Sequence, residues 1–244
     1  MESYKKKAVL SIISTLHSIS ACILSFISFS FCVSDKLRAY FCTMFMLQAM
    51  EYSFFQQALH LDYQLMLFIN RVFIHPYMDK ISLFMRESVF HIPIYVFVIL
   101  YAFEVYGKKA IWWLIAGVAL IGFCDFVSSH FIKEFFNRPR PCRDPFMAGN
   151  IRLLAKYCGG NGSFTSSHAV NHFAFATYVF LTLRSFSPWF KLLFLWAGLI
   201  AYSQVYVGVH YPSDVIAGAL LGSLFGWLYA RIVRQSLSLH QYRL

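Results

Sequence analysis

The sequence predicts an all-α, polytopic membrane protein with about six transmembrane helices, helices lying in the membrane interface, and a structured extracytoplasmic loop. Three observations predict it. Apolar residues fill 59% of the 244 positions and charged residues 13%, where soluble domains carry roughly 45–50% and about 25%. One core in a chain of this length cannot hide that much apolar surface, so lipid has to cover the rest. The apolar residues also fall in long runs, and basic residues mark alternate ends of those runs. The formal net charge of +10 would suit nucleic acid, but the cations flank spans and form no soluble basic face, which excludes that partner. They are explained instead by cations retained on the cytoplasmic side and cations gathered round an anionic ligand.

A membrane helix needs about 20 mostly apolar residues. Ala8–Val33 meets that length directly after Lys5, Lys6 and Lys7. The run is longer than a signal-peptide core and lacks a small-x-small cleavage site, so it reads as an uncleaved anchor. Asp35–Glu87 is less regular: Phe41–Met50 is short, and Leu61–Asn70 spaces apolar residues helically with a polar face, as an interfacial helix without a catalytic part would. Further spans are expected at Ile92–Tyr106, Ala110–Val127, Ala169–Leu183, Leu192–Val209 and Val215–Ala230. Placing Lys5–Lys7, Lys108 and Lys109, Arg184 and Lys191, and Arg231, Arg234 and Arg243 inside puts both termini in the cytoplasm. The organisation expected is an anchor and interfacial region over 1–60, a membrane-embedded core over 61–232 and a cytoplasmic tail over 233–244.

One loop breaks the charge rule. Lys133, Arg138, Arg140, Arg143, Arg152 and Lys156 all fall outside, and an anionic ligand is the reason they imply. The connection from Phe135 to Ser167 is rich in proline, glycine, aspartate and asparagine, as a structured functional loop would be. Cys142 and Cys158 lie in it. They would pair if the loop faces an oxidising compartment, and the sequence leaves bonded and reduced forms both open.

Three clusters meet at this membrane face. Lys133-Glu134-Phe135-Phe136-Asn137-Arg138-Pro139-Arg140-Pro141 offers a flexible point charge and two planar forks on a stiff turn. Gly162-Ser163-Phe164-Thr165-Ser166-Ser167-His168 opens a span, where unpaired helix N–H groups form a natural phosphate cradle. Ser203-Gln204-Val205-Tyr206-Val207-Gly208-Val209-His210-Tyr211-Pro212-Ser213-Asp214 joins the last two spans. There a carboxylate four residues beyond a histidine can hold one ring nitrogen and leave the other free to attack. Taken singly, each has a bland reading: interfacial cations, a capped helix, a structural His–Asp pair. Their convergence carries the functional one.

Together these clusters resemble the signature of the phosphatidic acid phosphatase type 2 superfamily: Lys, six residues, Arg-Pro; Pro-Ser-Gly-His; Ser-Arg, five residues, His, three residues, Asp. Lys133 through Arg140-Pro141 matches the first part in full. Thr165-Ser166-Ser167-His168 keeps the serine and histidine of the second, and Ser203, His210 and Asp214 match the third, with Gln204 where arginine is expected. The resemblance spans about Leu61 to Ile232 and implies a lipid phosphatase without metal or other cofactor and without an obligate protein partner. In it His210 attacks phosphorus to form a phosphohistidine, Asp214 orients the ring, and His168 protonates the leaving oxygen. Lys133, Arg140 and the N–H groups near Ser166 and Ser167 would hold the equatorial oxygens. Arg138 is expected to replace part of the charge missing at Gln204.

The loop run with the Ser-Ser-His variant looks like bacterial members acting on envelope lipids in the inner membrane, with the site facing the periplasm. A lipid A phosphatase is favoured, and undecaprenyl diphosphate or phosphatidylglycerophosphate phosphatases are the alternatives. Two other classes compete. A metal site built on His168, His172, His210 and Asp214 lacks the glutamate of His-Glu-x-x-His. An inactive lipid binder or transporter draws support from Gln204 and Ser167.

Overall fold

A computed structural model describes residues 53–239, Asn161 excepted. The chain falls into two compact units, Met1–Leu61 and Asp62–Leu244. In the first, residues 53–61 are helical; the expected Ala8–Val33 span lies outside the described residues.

In the second unit, residues 62–67 are helical and pass into a π-helical turn at Phe68–Val72. Next comes α1 (Pro76–Phe84), opened by Pro76 and by His75, whose Nδ1 accepts the Tyr77 N–H. The apolar helices α2 (Ile92–Tyr106) and α3 (Ala110–Phe126) are separated by Gly107, which takes φ +54°. A second π-helical turn, Val127–Ile132, leads to the short α4 (Lys133–Phe136). The loop follows, then α5 (Ser167–Leu183), α6 (Leu192–Tyr206) and α7 (Pro212–Ser236). No strand occurs among the described residues.

The packing centre is the α5–α7 pair. It is close because Gly218, Gly222 and Gly226 lie one above another on α7, at the i, i+4 spacing that lets membrane helices approach. A methyl group at Gly222 would strike the Val170 carbonyl, and one at Gly218 would lie 2.9 Å from the Ser166 carbonyl. Three polar groups inside the bundle are paired. The Tyr106 hydroxyl donates to the Thr182 carbonyl at 2.5 Å, Trp113 Nε1 to Thr182 Oγ1 at 3.0 Å, and the Tyr178 hydroxyl to the Trp113 carbonyl at 2.7 Å. Outside it, Phe97, Leu100, Trp112, Val118, Leu195 and Leu220 are all exposed, an apolar surface of the kind that a membrane covers.

Two helical stretches, Ser88–Phe136 (which contains α2 and α3) and Pro212–Ser236, are long and apolar enough to cross a membrane. α5 and α6 begin and end near the expected spans, but with 17 and 15 residues they fall short of about 20.

Candidate active site

The site is assembled where α4, α5 and α7 begin and α6 ends. Asn137, in the left-handed region at φ 40°, closes α4, and Pro139 and Pro141 keep the chain from resuming a helix. Lys133 is thereby left buried at the start of α4, where its Nζ donates to Ser167 Oγ at 2.6 Å. The same oxygen accepts from Ser128 Oγ at 3.0 Å and lies 3.1 Å from Ser129 Oγ. The serine that replaces the motif glycine is thus an acceptor that fixes the lysine.

His210 is buried in the α6–α7 connection. Its Nε2 lies 3.2 Å from Arg140 Nη1, which also donates to the Val209 carbonyl at 3.3 Å. A guanidinium only donates, so Nε2 is the unprotonated nitrogen, and Nδ1 carries the ring proton in the neutral form. Nδ1 faces Asp214 Oδ2 at 3.6 Å, an electrostatic contact longer than a hydrogen bond. Burial, reinforced by Arg140 and opposed by Asp214, pushes His210 down to about 4. The buried Asp214 carboxylate is itself held by the Tyr211 N–H at 2.9 Å and by Arg138 Nη1 at 2.8 Å.

That last contact changes the part expected of Arg138. Its Nη1 also donates to Ser213 Oγ at 2.7 Å, its Nη2 donates to Asp62 Oδ2 at 2.6 Å, and the guanidinium stacks 3.9 Å over the Tyr211 ring. Burial opposes its charge, but Asp214 and Asp62 hold its pKa above the ordinary value. With two carboxylates on its fork, Arg138 braces Asp214 and does not substitute for the cation missing at Gln204. Gln204 is buried with Nε2 unpartnered, as are Thr165 Oγ1, Ser166 Oγ and His210 Nδ1.

The expected amide cradle is also corrected in part. The Ser166 N–H is taken by the Asp214 carbonyl at 3.1 Å, a bond that ties the start of α5 to the start of α7. Ser167 and His168 open α5, where N–H groups have no intrahelical acceptor. The His168 ring is exposed, and its carbonyl accepts from His172 Nδ1 at 2.7 Å. His172 Nε2 faces the Tyr95 hydroxyl at 3.4 Å. Both nitrogens of His172 are therefore engaged, and among the described residues no three His, Cys, Asp or Glu side chains form a metal-holding group.

Cys142 and Cys158 are bonded, with Cα atoms 6.2 Å apart. The bridge joins the two strands of loop that frame Arg140. Gly159 packs so closely on the Arg140 guanidinium that a Cβ there would lie 3.0 Å from Cζ. Burial lowers Arg140's pKa from its ordinary value, with Arg86 and Arg143 adding to the fall and Asp214 opposing it. Of the other loop cations, Arg152 forms a two-pronged pair with Asp79 at 2.8 and 2.9 Å, so it is not directed to a ligand as expected. Lys156 is exposed, and Arg143 Nη2 donates to the Cys158 carbonyl at 3.1 Å.

Several residues of the site were not legible as such. Asp62 lies on the helix expected to be a bystander; its other oxygen accepts the Ser213 N–H at 2.9 Å. Asn70, eight residues on, is fully buried and clamps the loop: it donates to the Arg152 and Tyr206 carbonyls at 2.9 and 2.8 Å and accepts the Arg152 N–H at 2.7 Å. Asp144, also buried, accepts the hydroxyls of Tyr211 at 2.6 Å and Tyr63 at 3.1 Å. The available signal was an acid and an amide standing in an otherwise apolar helical pattern.

Comparison with known proteins gives the family. The chain is 30% identical over 174 residues to a lipid A 4'-phosphatase of Bacteroides thetaiotaomicron, covering 69% of this chain and 75% of that one. With a lipid A 4'-phosphatase of Porphyromonas gingivalis it shares 33% identity over 132 residues, 51% of this chain and just over half (55%) of the relative. The fold superposes with TM-score 0.54 and 21% identity on the PAP2-type phosphatidylglycerolphosphate phosphatase of Bacillus subtilis, covering 74% and 86% of the two chains. The PAP2 superfamily model matches residues 110–238, the stretch that runs from α3 to the end of α7 and holds all three motif clusters, and the chain belongs to that superfamily.

Proposed function

We propose that this membrane lipid phosphatase removes phosphate from an anionic envelope lipid, lipid A first among the candidates, through a phosphohistidine at His210. The observation that carries the reading is the environment of His210: Nε2 turned to Arg140, Nδ1 turned to Asp214, and Lys133 held close by through Ser167. Nε2 attacks phosphorus along the line of the P–O bond that breaks, and the displaced oxygen takes a proton from His168. Water then attacks the phosphohistidine, giving its proton to His168; the P–N bond breaks, and phosphate and neutral His210 are released. Arg140, Lys133 and the N–H groups of Ser167 and His168 balance the charge on the equatorial oxygens, where stabilisation counts most. No cofactor or protein partner enters these steps.

In this reading the chain has six spans with a cytoplasmic N-terminus, and the site opens on the outer face of a bacterial inner membrane. The cations clustered round Arg140 favour a highly anionic headgroup; a diphosphate is the alternative. Detergent-solubilised protein should release phosphate from lipid A faster than from undecaprenyl diphosphate or phosphatidylglycerophosphate, with no change on adding chelator. Preference for the diphosphate would move the substrate. No release from any of the three by folded, lipid-binding protein would replace the enzyme with a binder, Gln204 being the observation in its favour.

Two further results are expected. Because His210 is held down to about 4, its Nε2 lone pair stays available at any higher pH. The acid limb of kcat/KM should therefore fall as pH drops through about 4, not near the free imidazole value of about 6.5. A profile that falls near the free value would show the ring to be solvated. Replacing both Cys142 and Cys158 with serine should cost about 3 kcal/mol of stability, for a closed loop of roughly this length. It should also lower kcat several-fold by releasing Arg140. Thermal unfolding and phosphate release measured on the same preparation would check both.

A further inference from the structure

The far ends of α5 and α7 enclose a second cationic feature. Counting at about 1.5 Å per residue, Leu181 lies roughly 20 Å along α5 from His168, so the feature is separate from the active site. A cavity of about 290 Å³ is lined there by Leu181, Arg184, Trp227, Arg231, Arg234 and Gln235. Three guanidiniums share it, and among the described residues none that lines it is acidic. Their contacts are weak ones: Arg231 lies 5.6 Å from the Trp227 ring, Arg184 5.9 Å from the Phe180 ring, and Arg234 Nη1 is 3.5 Å from the Leu181 carbonyl. Cations at helix C-termini complement the helix dipole. That accounts for their position, but not for three of them facing one cavity without a counter-charge.

We infer that this cavity binds the phosphate of an anionic phospholipid headgroup. Planar guanidinium forks match phosphate oxygens in pairs, and three together would hold a phosphodiester from several sides. Free phosphate would satisfy the same forks. A lipid is favoured by the surface that leads into the cavity: Leu220, Leu224, Trp227 and Leu228 form an exposed apolar stripe along α7, laid out for an acyl chain. Basic pockets between membrane helices take lipid headgroups by this combination.

Native mass spectrometry of the full chain in detergent would test it, with phosphatidylglycerol, phosphatidylcholine and inorganic phosphate as probes. Wild type should bind phosphatidylglycerol, and Arg231→Gln/Arg234→Gln should weaken that binding by about tenfold or more, the loss of a charge-assisted pair. Phosphatidylcholine binding and phosphate release should not change, which also shows the variant to be folded. Lys108→Gln removes an exposed charge outside the cavity lining and should leave phosphatidylglycerol bound. Equal loss in Lys108→Gln would reduce the effect to general surface charge and overturn the site. Undiminished binding in the double variant would do the same. Inorganic phosphate binding with no preference among lipids would overturn the lipid as occupant.

Discussion

His210→Asn should abolish phosphate release, by about 10⁴-fold or more, the scale on which loss of a nucleophile acts. Asparagine preserves a polar group of similar reach, so the helix start and the Arg140 contact have something to close on, but it offers no lone pair that can attack phosphorus. The companion His168→Asn should behave differently. It removes the proton donor and keeps the nucleophile, so slow turnover remains, and a substrate with a better leaving group should recover part of the lost rate. Labelled phosphate should become attached to wild-type protein and to His168→Asn, in an acid-labile, base-stable form, and never to His210→Asn. Retention of a tenth of the wild-type rate in His210→Asn would sink the nucleophile assignment whatever the substrate.

The residues concerned show what a sequence can and cannot carry here. His210, Asp214, His168 and Lys133 could be named as candidates because the proposed chemistry asks for them at fixed spacing, and the helix starts at Ser167 and Pro212 are local events that the chain announces. The helices α2, α3, α5, α6 and α7 were legible because each is a largely apolar run, and α2 has the bounds that the run has. Arg138 and Arg140 are another matter. They are the same residue in the same Arg-Pro repeat, and nothing local separates them. What decides is the company each keeps after folding: Asp62, 76 positions away, takes one fork of Arg138, while Arg140 is turned to His210. Arg152 and Asp79 pose the same difficulty across 73 positions. Ion pairs formed over such distances leave no periodicity or spacing in the chain. The Cys142–Cys158 bridge stands between the two cases: the sequence proposes the partners, and the loop geometry joins them.

Arg138→Met separates these roles experimentally. If Arg138 braces Asp214, its removal leaves Asp214, with no exposed side-chain surface, and Asp62, 8% exposed, without their shared cation. Breaking a buried pair by removing one partner typically costs about 3 kcal/mol. The activity loss should lie in kcat, on the order of 10²-fold, because a carboxylate that drifts no longer orients His210, while KM stays close to wild type. Asp62→Asn should show a smaller copy of the same pattern. The double variant Asp62→Asn/Arg138→Met should be less damaging than the two losses added together, since they remove opposite ends of one contact. A direct phosphate ligand would give the reverse: KM raised, stability kept, and no coupling to Asp62. Adding Gln204→Arg sharpens the contrast, because a cation restored at that position would compensate a lost phosphate contact and would do nothing for a lost brace on Asp214.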